Sequence, residues 1–567
     1  MLHMTMRNQD NHTARRALPS AAGFAAITLA AASVMCVQII SPGYYYKIIE
    51  HAVMAQRYVP RFVESFSLGV YYPGWMGGDF NGYGSPIFVF YSPVFYLLSA
   101  ILSTAGLPVT LSASFVDLAF LITGGAGVYV LLSETHGERA GLFGAFFYML
   151  LPSRVLDLYY ANTPAGRLAL AWLPFVLHFA RACAGPKPGR APLAGMASSY
   201  TALILTHLAT AYIFTPFVLA YALAVSRGGN SWRGLARVIA GLAAGIGLSS
   251  FFFLPVLLLR GEVHIGLMTL MEDYSPARNF MFGPGPGSRI QDMAALISVQ
   301  AATTAAEAAG IGLIYFLARR YAGLKPCRDI SFSLWAVVAC LFLMSSMSLF
   351  VWDFVPGLRT WSFPYRLATI LILFVSLVAG AAVSRLSKVS RTAGASRVFM
   401  VIIVLVLTAD SAALIVKSTP MTDKQLSDIG GRVDFVEYLP VSVDPAVLPE
   451  IRADDPPLSS DADFSYEVDS WADRERSFSI SSGKGALVRV RTFWFPGWRA
   501  WVDGNEVPLG VEDKTGAMLI DVPAGKHEVR LRFTNTRPRT AGLLISLITS
   551  VMLVFPYRPV RTSQRPA

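Results

Sequence analysis

Apolar runs recur along this chain at lengths that a water-soluble fold does not need. They lie near 19–41, 110–132, 238–258, 291–318, 331–352, 365–384, 398–416 and 541–557. Each approaches the roughly 20 residues that a helix needs to cross a bilayer. Shorter or broken runs lie near 86–104, 140–152, 165–180 and 193–225. With 54% hydrophobic and only 15% charged residues, the chain reads as a polytopic α-helical membrane protein. The pattern predicts about 11–13 membrane helices.

Charge sets the expected orientation. The net charge of +11 is assigned to basic loops facing anionic cytoplasmic lipid, not to nucleic acid. The clusters are Arg181, Lys187 and Arg190; Arg227, Arg233 and Arg237; Arg319, Arg320, Lys325 and Arg328; Arg385, Lys388, Arg391 and Arg397; and Arg558, Arg561 and Arg565. All are expected on the cytoplasmic side together with both termini. Arg15 and Arg16 precede a run without a clear small-residue cleavage site, which reads as an uncleaved first span. Consistent sidedness requires 193–225 to be a hairpin turning near 206–210, and 86–104 not to cross. Pro86 and Pro93 fit that, since each removes a backbone donor. Cys36, Cys183, Cys327 and Cys340 then fall outside the extracytoplasmic loops. No structural disulfide is expected, and no Cys/His spacing suggests zinc.

Three regions follow. Residues 1–416 form the transmembrane domain, with 42–109 as a first outer loop carrying interfacial helices. Residues 541–567 give a last span and a basic tail. Between them, 417–540 turns polar, then alternates through RSFSISS, ALVRVRTFWF, AWVDGNEVPLG and AMLIDVPAGKHEVRLRFTN. The turns Asp503-Gly504 and Ala524-Gly525 predict antiparallel hairpins and a small extracytoplasmic β-sandwich.

Candidate site residues lie in the outer segments. Asp79 stands among Gly77, Gly78, Gly82 and Gly84, followed by a wall of rings that includes Tyr83 and Tyr91. A general base, a metal ligand and an Asx-type turn are all open for it. Glu50 and His51 follow the first span, where a carboxylate is placed to deprotonate a hydroxyl acceptor. Asp157 lies in a second short loop and would join Asp79 in holding a divalent cation through oxygen ligands. His207 falls at the expected hairpin tip. His264 and Arg278 belong to a loop whose FGPGPGS segment, 282–288, suggests a mobile flap over substrate. Arg366 opens a long apolar helix after Pro364, a depth at which its fork suits phosphate. Trp494, Trp498 and Trp501 read as sandwich core, interface anchors or a carbohydrate platform.

Several of these stretches resemble known families. GYGSPIFVFYSP (82–93), LPVLLLRGEVHI (254–265) and FPYRL (363–367) resemble the bacterial membrane proteins termed 6-pyruvoyl-tetrahydropterin synthase-related. FWFPGWRAWVDGNEVPL (493–509) with VPAGKHEVRLRF (522–533) resembles the C-terminal module of YfhO-like proteins. The chain's eight histidines offer no zinc-binding set of the kind a tetrahydropterin synthase needs. The layout instead resembles the GT-C superfamily of polytopic glycosyltransferases. That resemblance implies a polyprenyl-phosphate sugar donor, a glycan or lipid acceptor, and work on the extracytoplasmic face of a bacterial plasma membrane. It implies a first-loop acid at Glu50 or Asp79, a second at Asp157, and Arg366 beside the lipid phosphate. Gly166-Arg167 stand where related proteins carry an acid. A non-catalytic scaffold, or a lipid-linked glycan handling protein of the same fold, is the alternative. A transporter would show paired internal repeats, and none is evident.

Overall fold

The fold comes from a computed structural model, which describes residues 20–40, 49–161, 164–186, 189–226, 231–267, 275–283, 291–325, 327–359, 362–387 and 435–555. The expected span 398–416 and the start of the polar segment, 417–434, lie outside the described residues.

Backbone amides in a bilayer must be satisfied within their own segment, so apolar runs become helices. Seven described helices are long and apolar enough to cross: Ala21–Ile40, Val109–His136, Pro164–Ala184, Leu208–Val225, Ile297–Ala322, Pro364–Leu386 and Arg537–Val554. Two bent pairs bring the total to nine: Glu138–Leu150 with Pro152–Tyr159, bent by 41°, and Trp232–Leu248 with Ser250–Glu262, bent by 81°. Arg190–Thr206 and Arg328–Leu343 accompany them at 17 and 16 residues. The segment 86–104 does not form a crossing helix. It breaks into Ile87–Phe90 and Val94–Thr104, each entered through a proline. The run 193–225 divides at His207, an extended residue between two helices.

Pro364–Leu386 is the central helix, with 94% of its apolar window buried. It packs on Glu138–Leu150, Gln291–Ala322 and Arg328–Leu343. Gly380 makes a close crossing: a Cβ there would stand 2.6 Å from the Ala140 carbonyl oxygen. Small residues at such a contact let helix backbones approach, which is how spans associate where lipid supplies no hydrophobic drive.

The C-terminal domain is a β-sandwich. One sheet runs β1 (Leu458–Ser459), β4 (Ala486–Phe493), β8 (Ala517–Val522), β7 (Gly510–Val511). The other runs β2 (Phe464–Ala472), β3 (Glu475–Ser482), β9 (Gly525–Phe533), β5 (Trp498–Val502), β6 (Asn505–Val507). All pairings are antiparallel. Alternate residues such as Phe478, Ile480, Val488, Val490, Val529 and Leu531 fill the space between the sheets. Asp503-Gly504 makes the expected two-residue hairpin, with φ of 50° and 80° closing Val502 against Asn505. Ala524-Gly525 does not make a hairpin. It passes the chain from β8 in one sheet to β9 in the other.

The glycine loop around Asp79 docks on this sandwich. Trp75, Phe80, Tyr83, Val89 and Phe90 share one buried apolar core with the strands. Trp75 meets Trp498 edge to face at 5.5 Å, and Tyr83 lies 4.9 Å from Phe493. The glycines admit protein groups. A Cβ on Gly77 would fall 2.7 Å from Asp473 Oδ1, and Gly84, at φ +86°, lies against the Trp75 indole. Asp473, in the β2–β3 turn, accepts from Gly77 N and from Arg61, both at 2.9 Å. Trp75→Ala in the full-length protein is expected to cost about 3–5 kcal/mol. A lowered melting temperature and faster tryptic release of the sandwich would register it; an unchanged melt would show that the docking contributes little.

Candidate functional site

The site is built from helix ends on the sandwich side of the membrane domain. Its base is a buried ion pair. Arg167, in the first turns of Pro164–Ala169, donates from Nε and Nη2 to both oxygens of Asp117 at 2.7 and 2.6 Å. Both side chains are about 1% exposed. A charge at that depth is costly unless paired, and the two-pronged geometry supplies the pairing. Arg167 also covers the Phe95 ring at 5.5 Å. The arginine at 167, where an acid is expected by resemblance, is half of this pair.

Above it lies the broken end of the bent pair Glu138–Leu150 and Pro152–Tyr159. Pro152–Leu156 passes into a wide turn, Asp157–Ala161. Wide turns of this kind commonly mark functional sites. Arg154 donates to the Arg167 carbonyl at 3.1 Å and stands 3.6 Å from Asp157 Oδ2. That oxygen and Arg154 Nε are buried with no hydrogen-bond partner among the described residues. The broken end is held by Glu307, on the helix Gln291–Ala322. Its carboxylate accepts from Ser153 N and Ser153 Oγ, both at 2.7 Å, which satisfies the first turn.

Arg366 enters from the top of the central helix. Its guanidinium lies over Phe363 at 4.3 Å, and its Nε is buried without a hydrogen-bond partner among the described residues. It interacts electrostatically with Asp157, Tyr365, Tyr91, Tyr438 and His207. Tyr438 belongs to the strap that leads into the sandwich. It stacks on Phe90 at 6.2 Å and meets Tyr91 edge-on at 6.4 Å. Glu437 acts on both phenols from the side of the strap. Burial pushes the Tyr91 and Tyr438 phenols up, so both stay neutral hydrogen-bond donors.

Asp157, Tyr91, His207 and Arg366 are thus gathered, while other candidates sit elsewhere. Asp79 is buried and already occupied: it pairs with Arg57 at 2.9 Å and accepts from Tyr58 at 3.1 Å and Ser85 at 2.5 Å. Tyr83 is fastened to the sandwich, donating to Asp455 at 2.8 Å. Burial and that bond push its phenol up to about 12. His264 pins the strap, bonding the Leu439 carbonyl through its backbone N at 3.0 Å and the Val443 carbonyl through Nε2 at 2.8 Å. Arg278 ends a short turn, Pro276–Arg278, in a loop that runs along Met344. Glu50 and His51 lie in the first turn of Ile49–Ser67, with side chains outside the described residues. Most of the flap 282–288 is outside them too.

A divalent cation between Asp79 and Asp157 does not fit. The two carboxylates belong to separate clusters with guanidinium neighbours, a donor set suited to an anion. Among the described residues, no three His, Cys, Asp or Glu converge on a metal position.

Asp117 and Glu307 were overlooked in the sequence reading, although each is a lone acid inside an apolar run, the pattern that marks a structural or functional carboxylate in a membrane. Glu437 and Tyr438 carried no local signal. Asp117→Asn is expected to destabilise by about 3–5 kcal/mol, because it strands the buried Arg167. The double variant Asp117→Leu/Arg167→Met is expected to regain most of that in a melting experiment; no regain would mean the pair does more than satisfy itself.

No family model matches the sequence, and no curated protein sequence matches it, so its motif resemblances gain no support from either. Three solved structures share part of its layout. Arabinofuranosyltransferase AftD from Mycobacteria aligns over 72% of this chain and 27% of its own, at 16% identity and a TM-score of 0.43. The oligosaccharyltransferase AglB from Archaeoglobus fulgidus, in complex with an inhibitory peptide and a dolichol-phosphate, aligns over 72% and 56%, at 14% and 0.39. ArnT from Cupriavidus metallidurans, bound to undecaprenyl phosphate, aligns over 66% and 80%, at 14% and 0.30. The chain spans about a quarter of AftD and about half of AglB. At these values the likeness is a partial one of helical layout.

Proposed function

We propose that the protein is an integral membrane glycosyltransferase of GT-C-like layout that takes a sugar from a polyprenyl-phosphate carrier on the sandwich side of the membrane. The observation that carries this reading is the Arg366 guanidinium set electrostatically against the buried Asp157–Arg154 cluster, with its Nε unpartnered among the described residues and two neutral phenols near it. Guanidinium groups from Arg154 and Arg366, unmatched by an equal number of free carboxylates, suit a phosphate.

In this reading Arg366 and Arg154 hold the leaving phosphate. As the acceptor oxygen bonds to the anomeric carbon, the bond from that carbon to the phosphate oxygen breaks. The electron pair departs with the polyprenyl phosphate, and the acceptor proton passes to a carboxylate. Asp157 Oδ2, which takes no hydrogen bond from the described residues, is the first candidate, and Glu50 the second. Asp79 acts at one remove, by fixing Tyr58 beneath the ring layer. The sandwich side is then extracytoplasmic, and the far helix ends, with Arg181, Arg237, Arg319, Arg320, Arg328 and Arg385, are cytoplasmic.

One observation favours the scaffold reading: Asp157 is only 8% exposed, and Asp79 is fully engaged. Purified full-length protein with radiolabelled polyprenyl-phosphate sugars and candidate acceptors separates the two. Arg366→Ala is expected to lower kcat about 10²–10³-fold and Asp157→Asn about 10²–10⁴-fold. Arg499→Gln, on an exposed strand, should leave it unchanged. Carrier binding without turnover supports the scaffold, and full activity in both site variants removes these residues from the mechanism.

A further inference from the structure

A second cationic cluster lies apart from the Asp157–Arg154 cluster, where the sandwich meets the last span. Arg474 sits in the β2–β3 turn, Arg532 on β9, and Arg537 and Arg539 in the first turn of Arg537–Val554. Arg474 donates from Nη2 to the Phe533 carbonyl at 2.8 Å and lies 5.9 Å from that ring. Its Nε is buried with no hydrogen-bond partner among the described residues. Arg539 donates to the Tyr72 carbonyl at 3.1 Å and covers the Tyr72 ring at 4.6 Å.

Among the described residues, Arg474 and Arg539 bond carbonyls and cover rings rather than pairing with carboxylates. The two acids flanking Arg474 are committed elsewhere: Asp473 to Arg61 at 2.9 Å, and Glu475 to Arg530 at 2.8 Å. Burial, with the like charges of Arg539 and Arg532, lowers Arg474 to about 10, so it remains a cation in a crowd of cations. The start of the last helix adds its own positive end, where Thr536 Oγ1 accepts from Arg539 N at 3.3 Å.

Beside Arg539 lies a small, mostly apolar cleft lined by Tyr72, Phe251, Phe252, Pro255, Phe533 and Thr536. The last helix beside it has only 6% of its apolar window buried, so its flanks are left for lipid chains.

We propose that this collar is a binding site for an anionic phosphate group, separate from the Asp157–Arg154 cluster, with Arg474 and Arg539 gripping the phosphate. The phosphate comes from the headgroup of an anionic phospholipid or from free phosphate. The headgroup would anchor the sandwich to the bilayer surface at the root of the last span.

The test uses full-length protein in nanodiscs of phosphatidylcholine with or without phosphatidylglycerol, reading retained lipid by native mass spectrometry. A parallel arm measures melting in detergent with inorganic phosphate. Wild type is expected to retain phosphatidylglycerol over phosphatidylcholine. Arg474→Gln/Arg539→Gln should cut that preference about 30-fold, from two cations near a charged surface. Should that pair fail to fold, Arg532→Gln/Arg537→Gln, both exposed, is expected to weaken it in the same direction. Retention of the lipid without a phosphate-induced shift assigns the headgroup. A phosphate-induced shift lost in the variants assigns free phosphate. Equal retention of both lipids together with no phosphate response overturns the proposal.

Discussion

The Asp117–Arg167 pair is the constraint on which the membrane domain's outer half depends. Two full charges at about 1% exposure are tolerable only while each neutralises the other. Their bond ties Val109–His136 to the short helix Pro164–Ala169, and the Arg167 carbonyl then receives Arg154. The segment between, 157–161, is drawn into a wide turn that leaves Asp157 Oδ2 beside Arg154 but without a hydrogen-bond donor among the described residues. Glu307 closes the arrangement from the other side by satisfying Ser153. A buried polar cluster at this depth is therefore a by-product of how the two broken helices must be stabilised.

The second constraint is the docking of the first outer loop. A glycine-rich stretch with one acid suggests a ligand loop, and here the ligands are protein. Asp473 and the Trp75 indole occupy the space that glycine side chains would fill. Asp79 holds Arg57, Tyr58 and Ser85 together. Phe88, Phe95 and Tyr96 turn inward onto Tyr58 and Phe62. The aromatic wall thus forms a layer between the helix Ile49–Ser67 and the strap, with Tyr91 as its member nearest Arg366.

Length and hydropathy made the spans legible, and the alternation in 476–533 made the sandwich legible, because both are repeating signals. Arg366 and Asp157 could be read as site residues because an ionisable group beside an apolar run is costly without a reason. His264 was misleading for the opposite cause. A histidine in an outer loop looks like substrate chemistry, yet its Nε2 serves a backbone carbonyl 179 residues on. No local pattern encodes such a partner. The same holds for Tyr438, brought to the cluster by a strap whose register is set at Val263–Pro440. The passage from β8 to β9 was missed because a two-residue turn does not say whether its strands share a sheet.

That strap has a mechanical corollary. Its bonds at Val441, Leu439 and Val443 all run to residues 262–264, beyond the sharply bent Trp232–Glu262 pair. Tyr438 and the bend are therefore geared together. A tilt of the sandwich would drag the elbow of that pair, and a straightening of the elbow would lift the ring off Phe90.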